Sequence, residues 1–430
     1  MDATTTIWLI LFAALFLRVP IYVSIGTAAA TALVLTHTSL YMLPQAIYAG
    51  VDQYPLLAIP CFILAGGLMD RGGVAGRIVQ TATMLVGHVR GGLAMVTLAG
   101  CAFFAAIIGS GAATTAAMGS LMIPSMIRRA YPKPFAASVS ASGGTMGILI
   151  PPSNPMIVYG VVGNVSITAL FLAGVIPGAM VWGLLSLTAY VLARRQGLKG
   201  IEERPKPREV FRALLSNVWS LATPVIILGG IYGGAFTPVE ASAIAVVYGL
   251  FVGAVIHREL DLAGVIDSIK STVVTSGMLL LVVGVSILFG QFITLYHVPE
   301  QLTASMLSIS HNRDVVLVMI ILVLFFLGMF IETLSTIIVL TPILLPVVTL
   351  LGVDPVHFGI IFVLTNEVAL LTPPLGVNLF VAAGISGSSI EQISRAAAPF
   401  ILVLMLATFL VARFDWISLL LPRLLLGYGH

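Results

Sequence analysis

The sequence predicts an all-α integral membrane protein of two inverted repeats, each with a re-entrant helical hairpin and a broken helix. Three observations carry that prediction. Of 430 residues, 59% are apolar and 9% charged, and mean hydropathy is +1.10, whereas soluble domains carry roughly a quarter charged residues. Two apolar stretches, 92–127 and 314–349, exceed one crossing of ~20 residues and are interrupted by GSGAATT (109–115) and ETLST (332–336). Two later stretches carry paired prolines in mid-segment, IPPSNP at 150–155 and LTPPLG at 371–376.

The elements follow in order. The first repeat, 1–193, holds apolar spans near 6–17, 21–36 and 54–70, the hairpin 92–127, the broken helix 135–163 and a final span at 168–193. A basic loop, 194–215, separates it from the second repeat, 216–412, with spans at 216–235, 238–256 and 271–295, the hairpin 314–349, the broken helix 356–385 and a final span at 396–412. Residues 413–430 are read as a tail. Lipid cannot satisfy unpaired backbone groups, so each interrupted stretch reads as a hairpin whose tip is buried in protein. The alternative is two full spans joined by a tight turn. Proline removes a backbone donor and clashes with the preceding turn, so each proline pair should split its helix around an unwound centre. Pro124 and Pro346, Pro151 and Pro373, and Pro152 and Pro374 are all 222 residues apart, and VPIYVSIGTAAA from Val19 resembles TPVEASAIAVVY from Thr237.

Orientation follows from counting. Five spans lie between the hairpins, an odd number, so the hairpins enter from opposite faces. Arg71, Arg77, Arg90, Arg128, Arg129 and Lys133 flank hairpin one; Arg194, Arg195, Lys199, Arg204, Lys206, Arg208 and Arg212 fill the basic loop. Arg258 and Lys270 lie on the same side, while the loops opposite, near 37–53, 160–167 and 230–237, contain no lysine or arginine. The positive-inside rule makes the basic side cytoplasmic. Hairpin one then opens to the cytoplasm and hairpin two outward, with both termini outside and Arg18 in a short cytoplasmic turn. Amphipathic connectors at 72–92 and 297–314 read as interfacial arms or as plain surface helices.

Several function classes are excluded. Cys61 and Cys101 lie in apolar segments without metal-ligand company, and the seven histidines are scattered. No Walker sequence is present, so ATP is not the direct energy source. The net charge of +3 falls in short clusters between apolar runs, which suits topology and not nucleic acid. The first apolar run follows MDATTT without a basic n-region, so it reads as a first span. Glycine is abundant, 42 residues, and in membrane helices that usually means close packing. A secondary transporter remains.

The chemistry is expected at the tips and breaks. Unwound backbone offers carbonyl ligands to a cation such as Na⁺, and half-helix N-termini suit an anionic substrate. Ser110, Gly111, Thr114 and Thr115 at tip one are expected to face Ser153 and Asn154 at the first break; Thr333, Ser335 and Thr336 at tip two, Thr372, Gly376 and Asn378 at the second. Ser142, Gly143, Thr145 and Pro152 join the first ion group. Thr115, Ser153, Asn154, Glu332 and Thr336 are assigned to substrate, the others to Na⁺. Glu332 and Glu367 are intramembrane carboxylates and so functional candidates. They read as proton carriers, or as a helix cap at Glu332 and a polar pairing at Glu367.

At GGLMDRGGVAGRI (66–78), GSGAATTAAMGSLMIP (109–124), GILIPPSNPMIVYG (147–160), LGVDPVHFG (351–359) and LTPPLGVNLF (371–380), the chain resembles the large membrane subunit of tripartite ATP-independent periplasmic (TRAP) transporters, of DctM/SiaM type. Tip one has a small residue where many relatives have a further hydroxyl. The resemblance implies an elevator-type fold of the ion-transporter superfamily and a bacterial inner-membrane location. It also implies Na⁺ as coupling ion with no organic cofactor, a small four-helix membrane subunit on a separate polypeptide, and a periplasmic substrate-binding protein. The cargo would be a carboxylate-bearing solute of the dicarboxylate or sialic acid class. A transport domain of third spans, hairpins and broken helices would slide on a scaffold of the remaining spans. The competing readings are a stand-alone Na⁺- or H⁺-coupled symporter, and a membrane enzyme or quinone-handling subunit. The last calls for clustered histidines and carboxylates that the sequence does not contain.

Overall fold

Helices begin where the sequence supplies caps. Asp354 accepts hydrogen bonds from the amides of Val356 and His357, Thr237 and Glu240 form a capping box, and prolines occupy the first turn after each. Proline there lacks only a donor that would go unpaired anyway. The computed structural model describes residues 3–17, 19–200 and 205–429, and these contain helices and no strand. Arg18 and Arg204, used above for orientation, lie outside the described residues.

The first half comprises α1 (Ala3–Phe16), α2 (Ile21–Leu35), α3 (Met42–Val51), α4 (Ala58–Arg71), the arm α5 (Val74–Val86), the hairpin α6 (Gly92–Ile108) and α7 (Gly111–Arg128), the broken pair α8 (Lys133–Thr145) and α9 (Asn154–Val162), and α10 (Ile167–Arg195). The second comprises α11 (Pro207–Ser216), α12 (Val218–Tyr232), α13 (Pro238–Leu250), α14 (Leu262–Leu295), the arm α15 (Val298–Ile309), the hairpin α16 (Arg313–Gly328) and α17 (Thr333–Leu350), the broken pair α18 (Pro355–Ala369) and α19 (Val377–Ser386), α20 (Ile390–Arg413) and α21 (Trp416–Leu426). The 222-residue offset carries α7 onto α17 end to end. Both interrupted stretches are hairpins, and both proline pairs separate two helices.

Three differences from the sequence reading have local causes. The stretch near 37–53 is not a plain loop: α3 and α4 together are the counterpart of the uninterrupted α14, parted by a 3₁₀ turn over Tyr54–Leu57 that opens on Pro55. The basic loop contains α11, started by Pro207 and by Glu209 accepting from the Lys206 amide at 3.0 Å. Its charges hid a helix with apolar residues on one face. The tail contains α21, which packs on α10 and buries Ile417 and Leu419. Among the described residues six helices are long and apolar enough to cross a membrane, or seven if α11 and α12 form one bent span.

Contacts between halves come in matched pairs: α2 on α14 and α13 on α4; α9 on α17 and α19 on α7; α10 on α18 and α20 on α8. A pseudo-two-fold between inverted repeats requires this exchange. One pair breaks the match. α14 packs along α17, whereas α4 packs on α6, where a Cβ at Gly66 would stand 2.7 Å from Ile108 Cγ1, and lines a cavity together with α7. The arm α5 is fixed to the second half by Arg77 and Glu259 at 2.9 Å and by Asn217 donating to Thr81 Oγ1 at 3.0 Å. His257 Nδ1 lies 2.7 Å from Gly72 O, and burial is the main influence holding its pKa below the usual histidine value.

Close helix approach is testable. A Cβ at Gly50 would stand 3.0 Å from Gly284 Cα, and one at Gly284 would stand 3.1 Å from Ile47 O. Gly284→Leu should therefore force α3 off α14 and destabilise the protein by about 1–3 kcal/mol, seen as a fall in thermal midpoint in detergent. An unchanged midpoint would count against this packing.

Candidate ion and anion site

Tip one is a turn held against the first break. Gly109 ends α6 with φ +66°, a conformation glycine adopts without penalty, and a Cβ there would come within 2.7 Å of Pro152 O. Its carbonyl accepts from the Asn154 amide at 3.3 Å. On its other side the tip meets the small-residue face of α8. A Cβ at Gly144 would overlap Thr115 Oγ1, and one at Gly147 would stand 2.5 Å from Ser110 O and 2.8 Å from Thr114 Oγ1. Around this junction Thr114 Oγ1, Ser142 Oγ, Asn154 Oδ1 and Asn378 Oδ1 are buried without a hydrogen-bond partner among the described residues. Native structures rarely leave such atoms unsatisfied without a reason. A gathering of bare oxygens is what a small cation requires.

Tip two docks similarly, with Leu375 N donating to Met329 O at 3.0 Å. Glu332 caps α17: its Oε2 accepts from the amides of Leu334 (3.0 Å) and Ser335 (3.3 Å). Gly376, at φ +39°, starts α19, and Thr333, Ser335 and Thr336 are buried in the first turn of α17.

Several predicted hydroxyls donate to nearby backbone, as short polar side chains in helices often do. Thr115 donates to Gly111 O, Thr145 to Ser142 O, Ser153 to Ile148 O, Thr336 to Glu332 O and Thr372 to Val368 O. A hydroxyl that has donated its proton still presents oriented lone pairs. Two placements differ from the sequence reading. Asn378, grouped with tip two, instead donates to Ala141 O of α8 at 3.2 Å and lies beside Gly111. The exchange of broken-helix halves puts the start of α19 on hairpin one. Gly143 faces Cys101 of α6, and Gly144 and Gly147 are the residues that meet the tip. Only the tertiary arrangement separates these three glycines.

A cavity of about 440 Å³ joins the two tips. It is lined by residues 108–113 of tip one, by Glu332, Thr333 and Leu334 of tip two, by Asn154 and Pro155 at the start of α9, by Val377 of α19, and by α4 and α14. The N-termini of α7, α9, α17 and α19 thus converge, each a partial positive charge with spare amide donors. They are not equivalent. Glu332 occupies the end of α17 and Ser153 caps α9, but Ser110 makes no side-chain cap on α7. Helix α19, which starts at Gly376, also has no side-chain cap, but α7 lines the cavity with residues 110–113 and α19 with Val377, so α7 presents the larger uncapped end.

Sequence reasoning missed Asp70, Ser271 and Thr275, which also line the cavity. The one available signal was the four-residue spacing of two hydroxyls on α14. Asp70 and Ala117 also line a second recess of about 690 Å³ with Arg77, Ser120, Asn217 and Glu259, so the cavity leads toward the basic end. Further along α17 the helix is packed: Ile343 belongs to an apolar cluster with Ile25, Ala29 and Phe289, and a Cβ at Gly290 would touch Pro342 at 3.6 Å.

Residues 8–417 match the family described as tripartite ATP-independent periplasmic transporter, DctM component. The chain is 42% identical over 405 residues to the isethionate TRAP transporter permease protein DctMQ of Oleidesulfovibrio alaskensis, covering 93% of this chain and 64% of that protein. It thus spans less than two thirds of that relative's length. It is 39% identical to the sialic acid TRAP transporter large permease protein SiaM of Vibrio cholerae over 97% of each chain, and 38% identical to the C4-dicarboxylate TRAP transporter large permease protein DctM of Pseudomonas aeruginosa over 93% of this chain and 94% of that one. In fold it is similar to the YdaH transporter of Alcanivorax borkumensis (TM-score 0.66, 15% identity, 89% of this chain and 90% of that one). It is also similar to MtrF of Neisseria gonorrhoeae (TM-score 0.59, 13% identity, 88% and 83%).

Proposed function

The chain belongs to the DctM-component family of tripartite ATP-independent periplasmic transporters, and on that premise we propose that it imports a carboxylate-bearing organic solute across the bacterial inner membrane, driven by a Na⁺ gradient. A periplasmic binding protein delivers the solute, and a small four-helix membrane subunit braces the scaffold. The observation that carries this reading is tip one. Unpartnered oxygens of Thr114, Ser142, Asn154 and Asn378 belong to the helices that meet at the uncapped N-terminus of α7, and Asn154 with residues 110–113 lines the cavity.

Cation and anion sites so placed support each other. Na⁺ held by the tip oxygens fixes Ser110–Thr115 in the turn that presents the amides of Gly111 to Ala113 to a carboxylate. An ion can shift a conformational equilibrium only by binding its two states unequally. A tip that orders only when filled supplies that inequality. The unmatched packing, α14 on α17 but α4 on α6 with a cavity between α4 and α7, supports an elevator motion with this state open to the cytoplasm. Under the positive-inside rule both termini are then periplasmic.

Proteoliposomes containing this chain and its small subunit test the proposal. With a candidate binding protein and an inward Na⁺ gradient, solute should accumulate, and collapse of the gradient should stop it. Accumulation driven by a pH gradient without Na⁺ would overturn Na⁺ coupling. Uptake by the chain alone would favour a stand-alone symporter.

A further inference from the structure

We propose that Glu367 is a second coupling site, binding a monovalent cation, H⁺ or Na⁺, that it takes up and releases in each cycle. This rests on the reading of the chain as an ion-coupled carrier and adds a site outside tip one. Glu367 stands in the last turn of α18, just before the second break, and is fully buried. Neither carboxylate oxygen has a hydrogen-bond partner among the described residues, and Asn366 beside it leaves Oδ1 unpartnered while its amide donates to Phe362 O. Three buried acceptors thus face no donor. An ionised carboxylate enclosed in this way is strongly unfavourable unless a positive charge accompanies it.

No group on the elements packed against α18 supplies that charge. On α17 the only acid, Glu332, is bound to the amides of Leu334 and Ser335. His357 lies ten residues earlier on α18 itself, about 15 Å away along the axis, bonded to Ser418 of α21. Tyr159 of α9 donates to Pro355 O at that same far end. Arg313 and Asp314 begin α16, and Asp314 contacts Arg413, the last residue of α20. Glu391 and Arg395 pair on the exposed first turns of α20, Asp415 pairs with Arg423 beside α21, and Arg194 and Arg195 end α10. Tyr190, also on α10, carries no positive charge.

The repeat sharpens the point. The position equivalent to Glu367 in the first half is Thr145, a neutral hydroxyl that donates to Ser142 O. One half therefore holds a hydroxyl where the other holds a negative charge. A proton added to either carboxylate oxygen, or Na⁺ bound between them, makes the site neutral. The way in is hairpin two, joined to the second break by the Leu375 N to Met329 O bond. Lifting that tip would open Glu367 to the outer face.

Glu367→Gln in the complex with the small subunit tests the site, with Glu367→Asp as the variant that keeps the charge. If the ion is H⁺, wild-type uptake at fixed Na⁺ should change with pH and Glu367→Gln uptake should be flat. If it is Na⁺, the steepness of the Na⁺ dependence should fall by about one ion in Glu367→Gln. Glu367→Asp should retain whichever dependence the wild type has. Should Glu367→Gln not transport, thermal midpoints in detergent decide: loss of the stabilisation given by Na⁺ or by acid supports the site, and its retention overturns it. Wild-type Na⁺ steepness together with a wild-type pH profile in Glu367→Gln overturns it as well. Na⁺- and acid-dependent stabilisation that both survive in Glu367→Gln, while the Na⁺ part vanishes in a Ser110→Ala/Thr114→Ala double variant, leave the carrier reading standing and remove only this site. A wild type that ignores both ions overturns both.

Discussion

Alanine at both Ser110 and Thr114 is expected to abolish Na⁺-dependent uptake in proteoliposomes while leaving the protein expressed and folded. The separation of function from stability follows from what the two hydroxyls do not do. Ser110 is the N-cap residue of α7 without a side-chain cap bond, and Thr114 Oγ1 is buried without a hydrogen-bond partner among the described residues. Alanine therefore breaks no internal bond, and deleting an unsatisfied buried hydroxyl is close to neutral or favourable for folding. Each oxygen given to a charged partner contributes about 1.5–3 kcal/mol. Losing both should weaken Na⁺ binding by roughly two to four orders of magnitude. The measurement is initial uptake against Na⁺ concentration, with thermal midpoint as the folding control. Unchanged Na⁺ dependence would sink the assignment of tip one.

The second large effect is expected at Gly147. A Cβ there would stand 2.5 Å from Ser110 O, 2.7 Å from Ser110 C and 2.8 Å from Thr114 Oγ1. Two of these are backbone atoms, which cannot rotate out of the way. Gly147 lies in the 3₁₀ turn Met146–Ile148 that follows α8, so Gly147→Ala should push tip one off the end of α8, and uptake should fall at least tenfold. The cost in stability should be about 1–3 kcal/mol, as for other overpacked sites. Gly183 on α10 has no atom within 4 Å of its Cβ position, so Gly183→Ala should transport normally. Equal activity of the two variants would mean that tip one does not need to seat on α8.

The hairpins and breaks were legible because each depends on local chemistry. Gly109 permits a left-handed turn, and Pro151, Pro152, Pro373 and Pro374 cannot continue a helix. Their common offset survives in the sequence because both halves keep the same punctuation. Helix α11 was not legible: its charges matched a loop composition, and only the recess it shares with α5, lined by Val210, Phe211 and Leu214, reveals the apolar face. Helix α3 was not legible either: the stretch near 37–53 was read as a loop, and Pro55 marked only the start of the span that follows. Glu332 could be read from sequence as a cap or a carrier. The structure shows its carboxylate on the amides of Leu334 and Ser335.

The sequence by itself determined the membrane class, the inverted repeat, the two hairpins with their proline breaks, and the family. The first three rest on hydropathy, backbone breakers and spacing, properties a residue has before it meets distant neighbours; the family rests on the resemblance of five motifs. Tertiary structure alone decided that α9 and α19 cross to pack on the opposite hairpin, which carries Asn378 to tip one. It alone separated Gly144 and Gly147 from Gly143, and left Glu367 without a donor. Which oxygens remain unpartnered depends on helices distant in sequence, and no local pattern records them.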